Sequence, residues 1–319
     1  MSAGTDTTAN GVLRPGGAGT LAGRQVSRVG YGAMQLRRLA GDRASAVALL
    51  RRAAELGVDH IDTAEFYGDG VVNELISEAF GPKEIGSALR ADGGVLVVSK
   101  VGATPAVGGR VPLRLAQRPE ELRASVEDNL RSLGTDQVPV VNLRRTDSGP
   151  GLRASGDQVV DLDDQLAVLT ALRDEGKIGA IGLSSVSAEI LRRALPAAIV
   201  CVQNAYSLVA RGDEDVLALC AAEGIAWVPY FPLGGAHPGV PKVADEPAVR
   251  AVAESLGCTP SQAGLAWLLR HSPSVLLIAG TANSAHLEAN LEAGAVTLDD
   301  AALARLDAVT SRSAEVPLA

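Results

Sequence analysis

The apolar run "GVLVVSK" ends in Lys100, and only four of the chain's 29 basic residues are lysines (Lys83, Lys100, Lys177, Lys242). A buried ammonium is costly without a counter-charge. Another run, "VDHID", ends in Asp62, and Tyr67 follows five residues later. A phenol beside an ammonium has its anion stabilised and its pKa lowered. Such a phenol can give a proton to a carbonyl oxygen at neutral pH, as hydride reaches the carbonyl carbon. A third run, "VPVVNL", leads into Arg144 and Arg145. A guanidinium exchanges no proton near neutral pH, but it donates several hydrogen bonds and carries a fixed charge. Arg144 is therefore expected to position a carbonyl, or an anionic group of the substrate, and to favour oxyanion formation.

Each residue also has a plainer reading. An Asp at a strand end is commonly a turn or cap residue, and Tyr67 could be a partly buried aromatic. An arginine here could pair with Asp147 or Asp62. Convergence of all four groups favours the site reading for Arg144, and alternation of side chains favours the ion pair for Arg145. Lys100 would also suit Schiff-base chemistry in a lysine-dependent aldolase. A third reading is a cofactor-binding regulatory or scaffold barrel with little turnover.

Those residues need a frame that brings strand ends together. Eight β-branched runs suit strands: 29–34, 58–63, 94–100, 138–143, 178–184, 199–204, 225–230 and 274–280. Helical patterns alternate with them at 43–57, 71–80, 118–134, 162–176, 187–195, 213–224 and 259–272, with Gly57, Gly134, Gly176 and Gly224 as closing residues. Such alternation argues parallel strands with crossover helices. Eight units over this length suit a closed (β/α)8 TIM barrel in a single domain, whose chemistry sits at the C-terminal ends of the strands. No GxGxxG follows the first strand, which argues against an open dinucleotide-binding sheet. A short N-terminal hairpin is expected within "VLRPGGAGTLAGRQVSRVG". Residues 1–10 and 311–319 read as tails around a barrel of 11–310. The Gly/Pro-rich loops 102–119 and 146–161 follow strands and are candidates for shaping the substrate site.

The chain has 319 residues, 47% of them apolar, and a formal net charge of −8. That acidity argues against nucleic acid or an anionic membrane as partner. Three separated cysteines suggest neither a disulfide frame nor a zinc site, and no metal is expected. No run is long and apolar enough for a transmembrane helix. The N-terminus lacks a signal-peptide layout, so the expectation is a cytoplasmic protein, a monomer or weak homo-oligomer, acting on a small molecule.

"HIDTAEFYG", "VVSKVG", "IGLSS", "VQNAYS", "VPYFPLGG" and "IAGTANSAHLEANL" resemble, in order, the successive signatures of the aldo-keto reductase family, over residues 27–308. The resemblance implies a (β/α)8 barrel and reduction of an aldehyde or ketone by NADPH, with NADH as the alternative. It implies catalytic roles for Asp62, Tyr67 and Lys100, with Tyr67 as general acid. The family's fourth catalytic residue is usually a histidine, and its place falls on Arg144. Of the four histidines, His237, His271 and His286 lie elsewhere by position. His60 shares a strand face with Asp62 and could approach the site, but a lower-barrel or helix-packing place is the favoured expectation. For the cofactor, the resemblance implies Ser184 and Gln203 at the nicotinamide carboxamide. Ser185 stands where the family usually has Asn, a grip that could shift to Asn204. Tyr230 would stack on the nicotinamide, and Phe231, Pro232 and Leu233 would run beneath the pyrophosphate. Gly280, Thr281, Asn283, His286 and Asn290 would surround the adenosine phosphate, with His286 where Arg is frequent and Ala289 where Glu is frequent. "RVGYGAMQL", "VVNLRR" and "VPYFPLGG" resemble the branch with bacterial pyridoxal reductases. Pyridoxal or a carbonyl of secondary metabolism is the substrate class this implies.

Overall fold

The computed structural model describes residues 14–86, 94–106, 113–149, 151–235 and 240–312. The tail expected at 1–10, most of the tail expected at 311–319, and His237 lie outside the described residues.

The chain opens with the expected hairpin, β1 (Ala18–Leu21) against β2 (Arg24–Ser27), antiparallel. Its two-residue turn, Ala22–Gly23, has φ +51° and +76°. Two consecutive left-handed residues make the turn whose twist matches paired strands. After β3 (Tyr31–Gly32) come α1 (Arg43–Glu55), β4 (His60–Asp62), α2 (Val71–Phe80), α3 (Pro82–Gly86) and β5 (Leu96–Val101). A second hairpin, β6 (Ala103–Pro105) with β7 (Leu113–Leu115), occupies part of the first long loop. The chain continues through α4 (Pro119–Leu133), β8 (Val138–Arg144), α5 (Leu162–Asp174), β9 (Ile178–Ser184), α6 (Ala188–Ala194), β10 (Ile199–Gln203), α7 (Glu214–Glu223) and β11 (Ala226–Trp227). It ends with α8 (Pro247–Leu256), α9 (Pro260–His271), α10 (Ser284–Glu292) and α11 (Asp300–Asp307).

Seven strands lie parallel in the order β11-β10-β9-β8-β5-β4-β3. The eighth place is taken by residues 274–280, which form no strand. They close the circle by isolated parallel bridges, Trp227 with Val275 and Val29 with Leu277. Backbone bonds at 2.8 Å from Leu276 N–H to the Trp227 carbonyl and from Gly30 N–H to the Leu277 carbonyl complete the seam. The expectation of a regular strand there is corrected for a steric reason. A Cβ on Gly32 would lie 2.4 Å from the Ile278 carbonyl oxygen, and one on Gly280 would lie 2.5 Å from that of Gly32. The backbones cross there too closely for a longer ladder.

Two apolar layers hold the barrel. Inside, Leu96, Val98, Val140, Ala180, Cys201, Ala226, Val228, Leu276 and Ile278 pack on Leu21 and Val26 of the hairpin, which plugs the floor. Outside, the opposite strand faces pack on the helices around Ile61, Val97, Val141, Leu143, Ile181, Leu183 and Trp227. Strand alternation puts successive residues into these two layers in turn, which leaves the strand ends to carry polar groups into one mouth.

Candidate active site

β4, β5 and β8 are in register at their C-terminal ends, with Asp62 opposite Val98 and Lys100 opposite Asn142. Lys100 and Asp62 are only 6% and 4% exposed. Lys100 Nζ donates to both Asp62 oxygens, at 2.7 and 2.8 Å, and to the Thr63 carbonyl at 2.8 Å. An ammonium has three N–H donors, and they are shared among the Asp62 carboxylate, the Thr63 carbonyl and the neighbouring Tyr67. Burial by itself lowers the pKa of Lys100, but Asp62, then Tyr67, outweigh it and hold the ammonium above its ordinary value. Gln203 Nε2, at the end of β10, donates to Asp62 Oδ2 at 2.6 Å. Residues from three strand ends thus meet on one carboxylate.

Tyr67 sits in the turn after β4, its N–H bonded to the Ala64 carbonyl at 3.0 Å. Phe66 meets its ring edge-on at 5.3 Å, and Lys100 Nζ lies 5.1 Å from the ring centroid. The expected lowering of its pKa is corrected. Burial pushes the phenol up by more than Lys100 and Arg144 bring it down. Tyr67 is therefore a neutral O–H donor across the physiological range, with a positive charge beside it to receive the anion.

Arg144 ends β8. It forms no ion pair with Asp62 or Asp147 among the described residues, and its Nη1 is buried without a hydrogen-bond partner. A Cβ on Gly151 would stand 3.4 Å from Arg144 Nη2, so the second rim loop passes over the guanidinium. Arg144 acts electrostatically on both the Tyr67 and Tyr230 phenols. Arg145 takes the plainer role: it pairs with Asp147 at 2.7 Å and donates to Gln165 Oε1 and the Val160 carbonyl.

On the cofactor side, Gln203 Oε1 is buried without a partner, an acceptor left over after the amide has bound Asp62. Ser184 is buried beside it in register. Ser185 is left-handed at φ +59°, with its Oγ 3.2 Å from Tyr230 Oη. Asn204 does not join the group. Its Oδ1 accepts from Val186 N–H at 3.1 Å, and its Nδ2 donates to the Val186 carbonyl at 2.7 Å and to Asp213 at 2.9 Å. Both ends of that amide hold the turn after β9, and the idea that it replaces the missing family Asn is dropped. The Tyr230 phenol is raised by burial. Its ring meets Phe231 edge-on at 5.0 Å. Phe231 is left-handed at φ +56°, Pro232 is buried, and Leu233 packs on the core.

The remaining expected residues lie around α10. Asn283 caps that helix, its Oδ1 accepting from His286 N–H at 3.0 Å, and Thr281 Oγ1 accepts from Asn283 N–H at 3.0 Å. The Thr281 carbonyl accepts from Tyr31 Oη. Thr281 and Asn283 thus shape the turn that opens the helix N-terminus, where backbone N–H groups favour anions. Gly280 precedes them at the barrel seam, His286 is exposed, and Asn290 is half-buried two turns along.

Sequence reasoning missed Gly149. A Cβ there would come within 2.7 Å of Tyr230 Oη, so only bare backbone fits against that hydroxyl. The signal was the run "DSGPGL" in a long rim loop. It also missed Gln117, whose amide bonds the Arg144 carbonyl at 2.8 Å; a lone Gln between Ala116 and Arg118 gives no such signal.

Residues 28–311 match the model of the Aldo/keto reductase family. The chain is 40% identical over 300 residues to a pyridoxine 4-dehydrogenase of Escherichia coli, covering 91% of this chain and 97% of the relative. Among solved structures, it is similar to an aldo/keto reductase from Klebsiella pneumoniae in complex with NADP and acetate. That match has 27% identity and a TM-score of 0.72, over 92% of this chain and 95% of the other. A second reductase from Klebsiella pneumoniae, in complex with NADPH, matches at 28% identity and a TM-score of 0.68, over 89% and 90% of the two chains.

Proposed function

From the chain's membership of the aldo/keto reductase family we propose that it reduces an aromatic aldehyde of the pyridoxal type with NADPH, using Tyr67 as general acid. The single observation that carries the catalytic part is the Asp62–Lys100 pair, buried beside the Tyr67 phenol.

The described residues fit a nicotinamide cofactor. Gln203 Oε1 is a buried acceptor waiting for an N–H, as a carboxamide offers. Ser184 stands beside it, the Tyr230 ring lies at the same rim, and Phe231, Pro232 and Leu233 lead away from it. Thr281, Asn283 and the N-terminus of α10 suit the phosphate end, with His286 and Asn290 nearby. The cofactor, when bound, supplies the hydride.

This chain's own residues manage the proton and the charge. Tyr67 Oη donates its proton to the substrate oxygen as charge builds there. The Lys100 ammonium then faces the phenolate, and Asp62 keeps Lys100 charged and in place. Arg144 Nη1 supplies a second donor, either to that oxygen or to an ionised oxygen next to the aldehyde. Such donors are worth most in a water-poor site, where they need no reorganisation.

The aldolase reading needs a neutral amine at Lys100. Its buried pairing with Asp62 and raised pKa hold it as an ammonium. The pyridoxal-type substrate rests on the name of the Escherichia coli relative. We place the enzyme in the cytoplasm, as a monomer or weak homo-oligomer. The test is an aldehyde panel that includes pyridoxal, run with NADPH and with NADH. Highest kcat/KM for pyridoxal with NADPH is expected. No turnover of any aldehyde with either cofactor would leave only the non-catalytic barrel.

A further inference from the structure

Arg144 sits where a strand ladder runs out. On one side β8 stays bonded to β9, since Arg145 N–H reaches the Ser184 carbonyl at 2.8 Å. On the other side β5 pairs only as far as Val101 opposite Leu143. Gly102 then turns away at φ +101°, so β5 offers no ladder donor to the Arg144 carbonyl.

The Gln117 side chain takes that place. Its Nε2 donates to the Arg144 carbonyl at 2.8 Å and to the Gly102 carbonyl at 2.6 Å. A carboxamide has two such donors, so one NH2 group joins the ends of two neighbouring strands. The fit is close: a Cβ on Gly102 would lie 2.4 Å from the Arg144 carbonyl oxygen and 2.8 Å from Gln117 Nε2.

The rest of Gln117 is also engaged. Gln165 Nε2 donates to its Oε1 at 2.9 Å and to its carbonyl at 2.8 Å, and Gln165 Oε1 accepts from Arg145. Gln117 N–H donates to Gln158 Oε1 at 2.8 Å. Gln117 is 3% exposed and Gln165 fully buried. Gln117 belongs to the first rim loop and Gln158 to the second. A relay of carboxamides, buried at Gln117 and Gln165 and half-buried at Gln158, therefore ties both rim loops to the peptide that carries Arg144 and Arg145.

We propose that Gln117 is a positioning residue for Arg144. It fixes the last peptide of β8 so that Arg144 Nη1 keeps free of internal partners and available to the substrate. The inference rests on the reading of Arg144 as a donor to the substrate. Gln117 itself touches no reacting atom; it acts through a backbone carbonyl. The carboxamide is required because Leu of similar size donates nothing, and Glu of the same shape would set oxygen against two carbonyl oxygens.

The test is a double-mutant cycle of wild type, Gln117→Glu, Arg144→Met and the double variant. It reads kcat and KM for pyridoxal, and NADPH affinity by fluorescence. Gln117→Glu is expected to lower kcat/KM by about a hundredfold, the loss that a displacement of about 1 Å can cause. Most of the loss should fall on kcat, with NADPH affinity unchanged. In the Arg144→Met background the same change should cost nothing further. Equal fold-losses in both backgrounds, or full activity in Gln117→Glu, overturn the inference. Full activity in Arg144→Met alone instead overturns the Arg144 reading on which it rests. Should Gln117→Glu fail to fold, Gln117→Met removes both Nε2 bonds without placing a charge there, and the same cycle with Arg144→Met is read in the same way.

Discussion

The two ends of the barrel carry similar polar groups in opposite conditions. At the floor, His60 is buried with Nε2 3.0 Å from the Ser27 carbonyl. Ser27 Oγ donates to the Gly57 carbonyl at 2.6 Å, and Ser27 N–H to Asp59 Oδ1 at 2.8 Å. Toward the rim, Arg144 Nη1, Gln203 Oε1 and Asn142 Nδ2 are buried without partners among the described residues. Each unpaired buried polar atom costs about 1–3 kcal/mol. Left-handed non-glycine residues occur at both ends, Ala22 of the floor hairpin among them. Asp69, Ser185 and Phe231 are left-handed non-glycine residues that follow the rim ends of β4, β9 and β11, and such conformations cluster where a ligand is held. The His60 cluster at the floor is closed on itself, although Arg14 beside the hairpin keeps nitrogens without partners among the described residues, while the rim cluster is completed by something that enters it. His60 belongs to the first category, which is where the sequence placed it.

The rim is most sensitive at the buried pair. Lys100→Met would leave the Asp62 carboxylate uncompensated. It should lower stability by about 3–5 kcal/mol and end turnover, read by urea denaturation and steady-state assay. Unchanged stability would mean that the pair is more hydrated than its burial indicates. Arg144→Met comes next. It removes an unpaired donor, so thermal stability should hold while kcat/KM falls about a hundredfold or more. A large loss of Tm with kcat unchanged would move Arg144 into the structural class.

At the floor the expected pattern reverses. Gly30→Ala would place a Cβ 2.1 Å from His60 Cε1. It should cost about 1–3 kcal/mol of stability, and the folded enzyme should keep its kcat. A kcat loss without destabilisation would couple the floor to the chemistry. The smallest effect is a pH dependence. Burial lowers the pKa of His60, offset only in part by Asp59 and the Ser27 carbonyl. The unfolded chain then binds its proton more readily, so the stabilising contribution is present above about pH 6.5 and lost as pH falls through the lower folded value. Thermal melts from pH 7 to 5 should decline, and His60→Gln should flatten that decline. An equal decline in both proteins would assign it to other groups.

Much of the fold was legible in the sequence because strand and helix periods differ and the turns carry their own residue signals. α2 at Val71–Phe80 falls where the pattern "VVNELISEAF" put it. α8 was missed although Pro247 opens it, Gly257 closes it and Val249, Val252 and Ala253 form its buried stripe. The run at 274–280 has strand composition, but its pairing is limited by the close approach of Gly32 and Gly280, a fact about another segment. In the site, Asp62, Tyr67 and Lys100 were legible because strand ends converge in a barrel. The state of Tyr67 was not, since burial depends on what packs around it. Asn204 is the same lesson: its neighbours Val186 and Asp213 take its amide, and no local pattern announces that.

In the proposed reaction Tyr67 gives the proton at a rim made ready by Lys100 and Arg144. The most direct measurement is a single turnover: protein loaded with NADPH is mixed rapidly with pyridoxal, and the nicotinamide absorbance is followed. Wild type should oxidise one equivalent in a fast phase, and Tyr67→Phe should bind NADPH equally well yet oxidise none of it. Oxidation by Tyr67→Phe at the wild-type rate would contradict the account.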